Sequence, residues 1–80
     1  MTTPRMSAAA IQAEVSRLVH QIKAVKDDQQ SIAIPLPAPL AVLDAGGCNW
    51  YMAYGGIVGI YGHAVRDVVQ QVKDKWNLEN

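Results

Sequence analysis

Near its start and near its end, apolar residues recur in this chain every three or four positions. Ala8, Ile11, Val15, Leu18, Ile22 and Val25 are spaced 3, 4, 3, 4 and 3 apart, a heptad-like seam that Val19 widens. With Ser7 as N-cap, this spacing predicts a helix over residues 7–27. Ala13, Arg17, His20 and Ala24 fall on its far side. Residues 1–6 are expected to form a flexible lead-in. Tyr61, Val65, Val68, Val69, Val72 and Trp76 share one face of a second predicted helix, residues 62–77. His63, Asp67, Gln70 and Asp74 lie opposite, and the last residues are expected to fray.

The helical period disappears between these segments. Pro35, Pro37 and Pro39 stand at alternate positions. They forbid a helix or a central strand and predict an extended, polyproline-like or edge segment. Ile32 and Ile34 suit a short strand before it. Leu40 to Leu43 is apolar, and Asp44-Ala45-Gly46-Gly47 is turn chemistry. From Cys48 to Tyr54 the chain alternates: Cys48, Trp50, Met52 and Tyr54 point one way, and Asn49, Tyr51 and Ala53 the other. Residues 40–54 read as a β-hairpin, with strands near 32–34, 40–44 and 48–54. Two strands alone are marginal, so a third is expected. The glycine-studded stretch from Gly55 to Gly62 connects the hairpin to the second helix. The expected fold is α+β: an N-terminal amphipathic helix, a short antiparallel sheet of two or three strands, and a C-terminal helix packed on that sheet. An all-helical chain is the competing architecture, because residues 48–61 are apolar enough for a buried helix.

Size sharpens this picture. Eighty residues make one small domain, residues 1–80, that buries roughly 63% of its unfolded surface, so a lone monomer is marginal. Half of the residues are hydrophobic and 18% are charged, which excludes a disordered chain. Seven basic and seven acidic residues give no net charge, so nothing draws the chain electrostatically to nucleic acid or anionic lipid. The longest uncharged window, between Asp44 and Arg66, holds all six glycines and suits a membrane span poorly. No signal-peptide pattern opens the sequence. The expected location is the cytoplasm, with no membrane partner. One cysteine excludes an internal disulfide framework and a cysteine-based zinc site.

Candidate chemistry is sparse. Cys48 is the one conceivable nucleophile, with His63 fifteen residues on and Asn49 able to orient an imidazole. No signature surrounds it, and its strand face is that of a buried hydrophobe. His63 and Asp67 have the i, i+4 spacing of a metal-gripping pair, yet a third ligand is missing and an exposed pair explains them equally. His20 and His63 are both expected to be exposed and incidental. The G-G-x-x-G-x-x-G run from Gly55 is neither a dinucleotide fingerprint nor a P-loop. No catalytic residue, metal or cofactor is therefore assigned.

The expected function is a small non-catalytic protein-interaction module, homodimeric or bound to another protein. Ile11, Val15, Leu18, Ile22 and Val25 are its expected interface. The alternative is a small-molecule or peptide-binding domain, with a pocket formed by Trp50, Tyr54, Gly56, Gly59 and Tyr61.

Overall fold

A computed structural model gives the structure of the protein and describes residues 4–43, 47–54 and 59–79. The chain runs β1 (Arg5–Met6), α1 (Ala8–Val19), α2 (Lys23–Asp27), β2 (Ala38–Pro39) and β3 (Trp50–Tyr51). A 3-10 turn (Gly59–Tyr61), α3 (Gly62–Lys75) and β4 (Asn77–Leu78) complete it. The mixed content is the expected α+β class.

Ser7 starts α1 as expected, its extended backbone leaving the hydroxyl to accept from the Ala10 amide at 3.2 Å. Ile11, Val15 and Val19 are fully buried. They lie against α3, whose Val65, Val68, Val69 and Val72 are buried in the same core. This helix-on-helix contact is the most extensive between elements. The hairpin joins the same core chiefly through Trp50, with Cys48 and Met52 on either side of β3.

The single helix predicted over residues 7–27 is broken. After Val19 the bonds tighten to i+3, from Gln21 to Leu18 and from Ile22 to Val19, and Ile22 turns extended. An unbroken helix would run about 30 Å, against about 21 Å for α3, and carry its apolar stripe past its cover. The bend instead brings Val25 into the core. α2 then ends in a Schellman motif. The Gln30 amide bonds to Val25 O, the Gln29 amide to Lys26 O, and Gln29 takes φ 54°.

The hairpin forms, but not where the apolar run placed it. Residues 40–43 are not strand and Asp44 lies outside the described residues. The paired residues are Ala38 with Tyr51 and Pro39 with Trp50, antiparallel, extended by the Leu40 amide to Asn49 O at 2.8 Å. Ala38 and Leu40 face β3 with their amides, so the amide that Pro39 lacks falls on the outer edge, where no ladder bond is lost. Cys48, Trp50 and Met52 are buried while Tyr51 and Ala53 are exposed, the alternation read from sequence. Gly47 takes φ 80°, as the turn chemistry requires. Residues 32–34, expected as a strand, belong to neither helix nor strand.

The chain ends also depart from expectation. Residues 5–6 are not a loose lead-in and residues 77–78 do not fray. They pair in parallel, Arg5 with Asn77 and Met6 with Leu78, and amides of Asn77 and Glu79 donate to Pro4 and Met6 carbonyls at 2.8 Å. On the other side of β4 the Asn49 carboxamide acts as a further strand. Its Nδ2 donates to Leu78 O at 2.9 Å, and its Oδ1 accepts from the Leu78 amide at 2.7 Å. Leu78 is thereby buried, which is why the last residues are held.

Candidate functional site

The residues expected to bind a ligand are structural. Trp50 is completely buried; its indole Nε1 donates to Trp76 O at 3.0 Å, and the Lys73 ammonium sits 5.8 Å from the ring centre. Tyr54 and Tyr61 are half-buried against the core. The Tyr61 hydroxyl donates to the Asp28 carboxylate, tying the 3-10 turn to the end of α2; this bond pushes the phenol pKa up. Gly59 is exposed at φ 52°, and Gly56 lies outside the described residues. Trp50 and Tyr54 are covered because the hairpin's aromatic face closes onto the core.

Cys48 is buried and its thiol points at Trp50 O, 3.4 Å away. Asn49, the group that could have oriented a catalytic imidazole, is committed to Leu78. His63 and Asp67 are exposed on α3. Among the described residues, no three His, Cys, Asp or Glu side chains converge to hold a metal ion. No helix among them is long and apolar enough to cross a membrane.

His20 departs from expectation. It is half-buried and both ring nitrogens are engaged. Nδ1 lies 2.7 Å from Ser16 O, an acceptor, and Nε2 accepts the Ile32 amide at 3.1 Å. This pattern fits the neutral ring protonated on Nδ1. With Gln12, whose Nε2 donates to Ile34 O at 2.7 Å, His20 clamps residues 32–34 along α1. The helical wheel shows one apolar stripe, but the chain returns to cover the polar flank as well. Replacing His20 with alanine should cost about 1–2 kcal/mol, because the Ile32 amide loses its acceptor. A urea midpoint shift worth under about 0.5 kcal/mol would show the imidazole to be incidental.

Two hollows flank α1. One, about 360 Å³, is lined by Gln12, Ser16, His20 and residues 31–34; the other, about 330 Å³, lies between Ala10, Ala13 and Trp76. In the first, the imidazole is already saturated and cannot act as a base. Beside the second, Glu14 accepts from Arg17 and lies 3.5 Å from Lys75 of α3. The Arg17 hydrogen bond, helped by both cations, holds the Glu14 carboxyl below its usual range against the effect of burial. This joins two helices and offers no reactive group.

The expected interface seam is consumed inside the chain. Ile11, Val15 and Val25 are fully buried, and Leu18 and Ile22 are half-buried against the same core. The reason is α3, which covers α1. Large apolar side chains are exposed elsewhere: Leu36 at 56%, Val42 at 79%, Leu43 at 60%, Tyr51 at 44%, and Ile60. Four of these five sit on the proline segment, the hairpin loop and β3. Sequence reasoning passed over them, although one signal was present: no charged residue occurs from Gln29 to Leu43. No family model, curated protein or solved structure matches this chain.

Proposed function

We propose that this protein is a small non-catalytic interaction module that works as a homodimer, through the proline segment and hairpin rather than through α1. The observation that carries this reading is the exposure of Leu36, Val42 and Leu43 on one uncharged stretch, with Tyr51 exposed on the strand that pairs with it. An apolar surface without charge has no complement for an acidic or basic partner, and it meets its own copy without like-charge repulsion. Size supports the same reading. The chain exposes 5184 Å², where scaling gives roughly 4,700 Å² for this mass. Its radius of gyration is 12.5 Å, against about 11.6 Å for a compact chain of this length. The surplus, roughly 500 Å² per copy, is smaller than the roughly 800 Å² per partner of a standard interface and fits a small, reversible contact. A single cysteine, Cys48, held in the core suits a reducing compartment such as the cytoplasm.

Sedimentation velocity across a dilution series tests the proposal. The wild type should show a monomer–dimer equilibrium. The double variant Leu36→Lys, Tyr51→Lys should weaken it at least about tenfold, equivalent to about 1.4 kcal/mol, while keeping the wild-type circular dichroism. A wild type that stays monomeric at several hundred micromolar overturns the proposal.

A further inference from the structure

We infer that two copies of this chain join edge to edge through residues 31–35, as a two-fold antiparallel pair centred on Ala33. The inference rests on the self-association proposed above and names its contact.

The starting observation is a segment outside the sheets whose burial and hydrogen bonds both alternate, as in an extended chain. Burial alternates along it: Ser31 and Ala33 are exposed, Ile32 and Ile34 buried. Its hydrogen bonds alternate in step. The Ile32 amide goes to His20, the C-cap of α1, and the Ile34 carbonyl to Gln12 on α1. In an extended chain the next residues direct their amides and carbonyls to the opposite edge. That edge belongs to Ser31, Ala33 and Pro35, and neither backbone group of Ala33 has a hydrogen-bond partner among the described residues. An open row of backbone groups is a template for another strand.

The prolines restrict which strand and which register fit. Pro35 has a carbonyl but no amide, so the edge keeps two donors, Ser31 and Ala33. Centred on Ala33, two copies exchange Ala33 amide-to-carbonyl bonds in both directions. Each Ser31 amide then reaches the partner's Pro35 carbonyl. All four donors of the pair are used, and Pro35 is never asked to donate. Ile32 then stands opposite the partner's Ile34 at positions whose amides and carbonyls point away from the seam. That is the direction in which His20 and Gln12 already hold them.

The other two registers centred on a residue of this edge fail. A pair centred on Pro35 has no donor at its middle. A pair centred on Ser31 runs into Gln29, whose φ of 54° breaks the extended backbone. Small side chains at 31 and 33 and the absence of charge from Gln29 to Leu43 let two backbones approach. Exposed Leu36, directly beyond the edge, adds apolar contact. A foreign strand would find the same two donors without this reciprocity.

Two variants test the pairing. Ala33→Pro extends the proline alternation and removes an amide that nothing in the monomer uses, so the fold should persist while dimerisation weakens at least about 30-fold. In a Cys48→Ser background, Ala33→Cys places two thiols across a hydrogen-bonded pair about 5.5 Å apart between Cα atoms, within disulfide reach. With oxidised glutathione it should cross-link into covalent dimers at least about tenfold faster than Ala24→Cys, an exposed site on α2. Failure of Ala33→Pro to weaken a wild-type dimer, or equal cross-linking at both sites, overturns the edge contact and leaves self-association standing. A wild type monomeric throughout overturns both.

Discussion

Trp50→Ala should remove most or all of the stability of this domain. The side chain is fully buried, and truncating a buried tryptophan costs about 3–5 kcal/mol. Its indole also holds Trp76 O at 3.0 Å, a bond worth about 1 kcal/mol more. A chain of this length has only about 4–12 kcal/mol in total. Trp50 is the largest fully buried side chain, and it joins β3 to both helices through one core. Urea or thermal unfolding should therefore find the variant unfolded or nearly so at room temperature. Trp50→Phe, which keeps an aromatic ring but loses the donor, should fold with a reduced midpoint. A cooperative transition for Trp50→Ala within about 1 kcal/mol of the wild type would mean that the hairpin is not part of the core.

Asn49→Ala should cost about 2–4 kcal/mol, a large effect for a half-buried polar residue. Two bonds to Leu78 are lost, and the Leu78 amide and carbonyl are left unpaired beside a buried side chain. Asn49→Asp keeps the acceptor for the Leu78 amide but sets an anion against the carbonyl, so it should rescue little. Because Asn49 touches β4 directly, hydrogen exchange should accelerate first at Asn77, Leu78 and Glu79. It should accelerate less in the middle of α3, where exchange follows global unfolding. Unchanged exchange at Leu78 in Asn49→Ala would exclude the side chain as the tie.

These two adjacent residues mark where sequence reading stopped. The period-2 alternation from Cys48 to Tyr54 correctly separates Trp50, bound for the core, from Asn49. Nothing in that pattern says that Asn49 would complete a strand pair 29 positions away. The ligand-binding reading of Trp50, Tyr54 and Tyr61 treated aromatic content as a surface, because a sequence does not state what covers a face. The same gap produced the reading of Ile11, Val15 and Val25 as a dimer seam. A heptad spacing records that a helix has an apolar partner, not whether that partner is another copy or α3.

Local chemistry was fixed by residue type alone. Ser7 caps a helix, the positive-φ turn falls on Gly47, the second helix starts at Gly62, and Pro39 stands in a two-residue strand. Each follows from interactions within a few residues, so the α+β class was legible. Tertiary packing decided the rest. It broke the first helix after Val19, because a stripe longer than α3 has nothing to bury against. It pulled His20 under residues 31–34 and held the two chain ends in a parallel pair through β4. It also left one edge at Ala33 without a partner. Those outcomes depend on contacts between distant residues, and the periodicity of a single chain carries no record of which distant surface a face will meet.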